Sequence, residues 1–131
     1  MYGALDISTS GLVAQRIRTD TYAGNIANAP MRGYKRRVPV FATGAGPEQL
    51  GKPGVHVAQI LVDRSPGTMV SAPDSQYAIQ SGPNKGMVEY SNVSVMEEMI
   101  NAIEAARAYD ANITMMKATR TMIDSAMRLI A

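Results

Sequence analysis

The chain has 131 residues, no cysteine, no tryptophan and one phenylalanine, against ten methionines and six tyrosines, with a formal net charge of +2. This excludes a disulfide framework, a thiolate metal site and a cysteine nucleophile, and the lack of any 18-residue apolar run excludes a transmembrane helix. Flexible Met in place of aromatic anchors fits a protein that packs mainly against neighbours, and it fits a plain helical core equally well.

No early stretch reads as a signal peptide, because Asp6 interrupts the first apolar residues and Arg16 and Arg18 precede any long apolar run. Charge is spread unevenly. Residues 1–40 carry six basic and two acidic side chains, and residues 86–131 carry four basic and six acidic ones. Opposite signs at the two ends favour attraction between them, weakened by salt.

The first element is a helix from about Ala4 to Asn28. Leu5, Leu12, Thr19 and Ile26 recur every seven residues with Gln15 and Tyr22 between them, and Asn28 and Pro30 stop it. Gly11 and Gly24 each cost about 1 kcal/mol against Ala inside a helix. In a tight bundle, a glycine also lets another backbone approach closely. After this helix comes the densest charge run, Arg32, Lys35, Arg36 and Arg37. A nucleic-acid site needs stacking aromatics or a recognition helix, and only Tyr34 and Phe41 lie nearby. The run reads as a protein contact or a solvated loop.

Residues 44–86 hold seven Gly and five Pro, a density that breaks helices and punctuates short strands. Val55–Val62 is the best strand, with shorter ones expected at Val38–Phe41, Thr68–Val70 and Met87–Tyr90, and with loops over 44–54 and 71–86. Within this insert, the segment from Gly46 to Gly51-Lys52 has P-loop spacing. Pro53 stands where a Ser or Thr would hold magnesium, Pro47 removes an amide donor, and no helix starts on Pro53-Gly54, so no nucleotide site is expected. His56 is the only histidine and reads as an edge-strand residue. Asp63 and Asp74 have no evident partner, and no nucleophile elbow occurs. Neither catalysis nor a cofactor nor a small-molecule substrate is expected.

The last element is the clearest: one helix from about Val95 to Leu129, about 50 Å long. A globular helix averages about 11–12 residues, so this length argues for a filament or a bundle. Met99, Ile103, Ala106, Ile113, Met116, Ile123, Met127 and Ile130 form a heptad stripe, with Tyr109 or Asp110 and Arg120 in its gaps. Ser94-Val95-Met96-Glu97 reads as a capping box, and the helix macrodipole accounts for Glu97 and Glu98 in the first turn. Neither helix buries its stripe alone, so the two ends should pair with each other or with other chains. The expected fold is mainly α with a small β-rich insert: an N-terminal helix (1–30), an insert (31–90) and a C-terminal helix (91–131), the helices paired as an elongated coiled coil.

Several stretches resemble the flagellar rod and hook axial proteins. Leu5-Asp6-Ile7-Ser8, Ser10-Gly11-Leu12 and Ala14-Gln15-Arg16 are similar to that family's N-terminal motif. Asn25-Ile26-Ala27-Asn28 and Gly33-Tyr34-Lys35-Arg36 are similar to its end. Val88-Glu89-Tyr90-Ser91-Asn92-Val93, Glu97-Glu98-Met99 and Arg107-Ala108-Tyr109-Asp110-Ala111-Asn112 are similar to the C-terminal motif. The short insert resembles the proximal-rod members, the FlgC branch more than its FlgB sister. The resemblance implies a structural subunit of the periplasmic rod, exported by the flagellar type III apparatus without a cleaved signal peptide. The implied partners are FlgB-, FlgF- and FlgG-like rod subunits, a FliE-like adaptor and membrane-ring components, and no nucleic acid. The assembly interface is then expected at Leu5, Leu12, Asn25, Ile26 and Asn28 on the first helix. On the second it is expected at Met99, Ile103, Ala106, Tyr109, Ile113, Met116, Ile123 and Met127, with Ser94 and Glu97 as the cap. A cytoplasmic helical adaptor or export chaperone is the alternative from another class.

Overall fold

The computed structural model describes residues 2–44, 46 and 52–130, and the following concerns these. Six elements occur in the order α1 (Tyr2–Asn28), β1 (Arg37–Thr43), β2 (Val55–Val62), β3 (Met69–Ser71), β4 (Met87–Glu89) and α2 (Val95–Ile130). The P-loop-like spacing falls mostly outside the described residues.

Helix α1 ends where Pro30 forbids its continuation. Asn28 closes the last turn, its Nδ2 donating to the Gly24 carbonyl at 2.7 Å. Strands β1 and β2 pair antiparallel, and the register shifts between Val40 and Phe41, which face Gln59 and Val57 and so leave Ala58 as a bulge. The hairpin lies along α1, because Arg37 N–H reaches Asn25 Oδ1 at one end and Val55 N–H reaches Ser10 Oγ at the other. An isolated two-stranded hairpin is marginal, and α1 supplies the helix against which it packs. His56 closes the hairpin's far end, its Nδ1 lying 2.9 Å from the Gly44 carbonyl. Strands β3 and β4 form a second antiparallel pair. Between them the chain folds back on itself, Ile79 N–H bonding to the Met87 carbonyl and Gly86 N–H to that of Ile79.

Gly67 is required by a close approach. A Cβ there would run into the Tyr90 carbonyl oxygen, on the segment where Tyr90 N–H donates to the Thr68 carbonyl at 2.8 Å.

The two helices run antiparallel, and three contacts fix their register. Gly11 faces Asn112, Arg18 pairs with Glu104, and Asn25 bonds to Glu98. Along α1 these contacts recur every seven residues. The residues that close the pair are small, with Gly11, Ala14 and Ala105 all buried. A Cβ on Gly11 would lie 3.0 Å from the Asn112 amide nitrogen, so the helices approach as closely as a glycine permits. Tyr22 completes this face of α1, its hydroxyl accepting from Arg18 Nε. The largest side chains with no exposed surface are not apolar: they are Glu98 and Asn25. Among the described residues, no helix is long and apolar enough to cross a membrane.

Candidate assembly interface

Where α1, the segment after it and α2 converge, a polar knot forms. Glu98 is 0% exposed, and its Oε1 accepts from Arg36 Nε at 2.6 Å. Its Oε2 accepts from Asn25 Nδ2 at 2.7 Å. The same Asn25 amide nitrogen also reaches the Arg37 carbonyl at 2.8 Å. Asn25 Oδ1 accepts from the Arg37 N–H and the Tyr34 hydroxyl. The network thus satisfies a buried carboxylate and a buried amide, which burial would otherwise penalise heavily. It extends outward through Asn92. That side chain takes the Arg36 N–H at 2.7 Å and gives its own amide hydrogens to the carbonyls of Asp63 and Ser65.

A second, more exposed cluster fastens β4 to the same region. Lys35 Nζ lies 2.6 Å from Glu89 Oε1, which also accepts the Gly67 N–H. The Lys35 ammonium and that amide hold the Glu89 carboxyl below its ordinary range. Asp63 is likewise lowered, by the hydroxyl and amide of Ser65.

The basic run is therefore not a free patch. Lys35 and Arg36 are held inside the chain by Glu89 and Glu98, and the Arg32 guanidinium lies 3.7 Å from the centre of the Tyr77 ring. The macrodipole reading of the acidic pair also needs correction. Glu97 stays exposed in the first turn, whereas Glu98 turns into the core. Ser94 enters through its backbone carbonyl, which accepts the Glu98 N–H.

The residues expected to form one stripe divide. Asn25 is buried, and Leu5, Leu12, Ile26, Asn28, Tyr109, Ile113, Met116 and Ile123 are half-buried along the helix pair. Met99, Ile103, Ala106 and Met127 are exposed, so within the chain they do not pack on α1. The physical reason is distance. The line that meets α1 is Glu98, Ala105 and Asn112, and the close approach is made where Ala105 is buried and Gly11 stands against Asn112. The large residues are displaced to other faces. Met96, Met99, Ile100 and Ile103 form an outward patch on the first turns, and Met115, Met122 and Leu129 continue outward further along. Sequence reasoning followed the large residues: it allowed Gly11 a close approach and Arg36 a protein contact without finding their partners, left Glu98 to the helix end, and passed over Ala14, Ala105 and Asn112 as packing residues. The available signal was the line one residue before each stripe, where Gly11 and Ala105 stand among Arg18, Asn25, Glu98 and Asn112.

Two shallow grooves of about 400 Å³ flank this region. One lies between α1 and the hairpin, the other beside Asp63, Ser65 and Asn92. In the second, the Ser65 hydroxyl and amide both donate to the Asp63 carboxylate, a local turn contact between residues two apart.

Residues 5–35 match the family described as flagella basal body rod protein, and residues 84–129 match flagellar basal body rod FlgEFG protein C-terminal. These segments cover most of α1 and, with β4, nearly all of α2, so they include Asn25, Tyr34, Asn92 and Glu98 of the knot, and Arg36 and Arg37 follow directly after the first. The chain is also 34% identical to the flagellar basal-body rod protein FlgC of Borreliella burgdorferi, covering 99% of this chain and 97% of that one. The chain belongs to the FlgC family. Identity to the FlgC proteins of Yersinia enterocolitica and Salmonella typhimurium is 36% and 33%, each over 90% of this chain and 89% of the relative. As a FlgC-family member, it is a structural rod subunit and not an enzyme.

Proposed function

We propose that the chain is a proximal-rod subunit that joins a helical axial tube through the outward apolar faces of α2. The polar knot and the small-residue helix contact hold the subunit together. One observation carries this reading. Large apolar side chains point outward, Met96 being 71% and Ile103 53% exposed, while the interior of the pair is closed by Ala, Gly, Asn and Glu with one aromatic ring, Tyr22. A contiguous apolar patch of this kind marks a surface that another protein covers. Contacts that join two different surfaces of like subunits without closing on themselves give an open helical array.

In this reading α1 and α2 form an inner layer in coiled-coil fashion, flanked by Leu5, Leu12, Ile26, Ile113, Met116 and Ile123. The two β-hairpins stand outside it. The neighbours are FlgB-, FlgF- and FlgG-like rod subunits, with a FliE-like adaptor and membrane-ring components at the base. The flagellar type III apparatus delivers the chain to the periplasm. Immunodetection in purified hook–basal bodies tests this against the cytosolic fraction. The chain should copurify with the rod. Recovery only as a folded cytosolic species would overturn the proposal in favour of an adaptor.

A further inference from the structure

The small residues that close the helix pair do little to choose its register. Sliding α2 by seven residues would place Ala105 or Thr119 opposite Gly11 instead of Asn112, and both are small enough to fit. The polar groups discriminate far more. One slide sets Asn25 against Ala105, stripping a fully buried amide and Glu98 of each other. The opposite slide brings Glu98 to the level of Arg18 but takes it away from both Asn25 and Arg36, while Asn25 keeps its bonds to Arg37 and Tyr34. In both cases Glu98 loses the two native partners, Asn25 and Arg36, that offset its burial. A buried polar contact that is worth little as net stability can still select one register over others.

We propose that Glu98 is the positioning residue that selects the α1–α2 register. Through that register it sets the axial offset at which the exposed apolar turns of α2 stand relative to α1. The consequence for assembly rests on the rod-subunit reading above, whereas the register itself does not. The competing source of register is the loop contact at the same end, where the Ser91 hydroxyl bonds to the Ala29 carbonyl. Variants at Glu98 leave that contact in place and so separate the two.

The chain contains no cysteine, so introduced pairs can report on register without interference. Asn112 Cγ lies 3.4 Å from the position of a Gly11 Cβ, which places Gly11→Cys with Asn112→Cys within disulfide reach. Gly11→Cys with Ala105→Cys, and with Thr119→Cys, report the two slides. Oxidising the purified full chain traps the pairings it samples, and gel mobility reads them. With Glu98 present, the Asn112 reporter should close in preference to the other two. Glu98→Met fills the same space without polarity, and Arg36, being partly exposed, can turn to solvent. In that variant the preference should fall at least about tenfold. Glu98→Gln should retain it, because its amide oxygen still accepts from Asn25.

An unchanged preference in Glu98→Met would overturn the proposal and assign the register to the loops. Loss of helical circular dichroism in Glu98→Met, with Glu98→Gln intact, would also overturn it, since Glu98 would then be needed for folding and not for selection. Because the readout is an intrachain disulfide, failure of the chain to enter rods leaves the result standing.

Discussion

Removing the Arg36 side chain tests the energetics of the polar knot most directly. Arg36 is partly exposed, but its partner Glu98 is not, and the two meet at 2.6 Å. At that separation the gross attraction is about 6 kcal/mol for an effective dielectric of about 20. Most of it offsets the cost of burying the carboxylate, so the pair need not add net stability. Breaking it from one side is different. Arg36→Ala leaves Glu98 charged, buried and held only by Asn25, a loss of about 3–5 kcal/mol. That is a large part of the roughly 5–15 kcal/mol available to a small domain. With a slope of about 1.5 kcal/mol per M, the urea midpoint followed by helical circular dichroism should fall by about 2–3 M. Arg18 supplies the control on the same helix pair. Its contact with Glu104 is longer, 3.6 Å, and Glu104 is mostly exposed, so with its bond to the Tyr22 hydroxyl included Arg18→Ala should cost about 1–2 kcal/mol, still below Arg36→Ala. The double variant Arg36→Met with Glu98→Met removes both charges and should recover most of the loss. Equal effects of Arg36→Ala and Arg18→Ala would refute the reasoning, as would a double variant no more stable than Arg36→Ala.

Other outcomes follow from the same geometry. Gly67→Ala drives a methyl group into the Tyr90 carbonyl, so it should cost about 1–3 kcal/mol and remove hydrogen-exchange protection from the Tyr90 amide. Retained protection would mean that the segment shifts freely. Glu89 and Asp63 are depressed below ordinary values of 4.5 and 3.8, so their contributions are intact above those values and vanish as pH falls through the lower folded ones. The Gly67 amide resonance, reporting its bond to Glu89, should therefore be flat from neutral pH to about 4.5 and titrate below it. Lys35→Met should move that titration upward, and an unmoved curve would discount the ammonium as its main cause. Met99→Asp and Ile103→Asp lie on the exposed face and should change subunit stability by no more than about 0.5 kcal/mol while blocking incorporation into hook–basal bodies. Normal incorporation would remove this face from the assembly.

The elements themselves were legible to within a few residues, for physical reasons that act locally. Pro30 ends α1 and the Gly/Pro density of 44–86 confines the chain to short strands. The absence of both residues after Gly86 lets α2 run uninterrupted. Val55–Val62 was legible as β2 because it is almost wholly apolar and flanked by breakers. The pairing of β1 with β2 along α1, and the bulge at Ala58, were not. They depend on where Asn25 and Ser10 offer hydrogen bonds, which is a tertiary matter. The charge run from Arg32 to Arg37 was open for the same reason. Counting charges cannot show that Lys35 reaches Glu89 and Arg36 reaches Glu98 across more than fifty residues of chain.

The packed face of α2 coincides only in part with the heptad stripe, for a more instructive reason. A heptad pattern selects a helical face by assuming that the largest apolar residues lie inside. In α2 two lines run close together, one carrying Met99, Ile103 and Ala106 and the other Glu98, Ala105 and Asn112. A monomer that buried the first would gain more transfer free energy, because Met and Ile remove more apolar surface from water than Ala or Asn. The chain buries the second, at the cost of desolvating a carboxylate. That choice runs against the stability of the isolated subunit, and it fits a chain whose large apolar surface is held for other subunits. The polar interior then has its own use, since Glu98 cannot move one turn along α1 without losing its partners. Closing the pair with small and polar residues leaves the Met and Ile side chains free to add their burial energy when subunits associate.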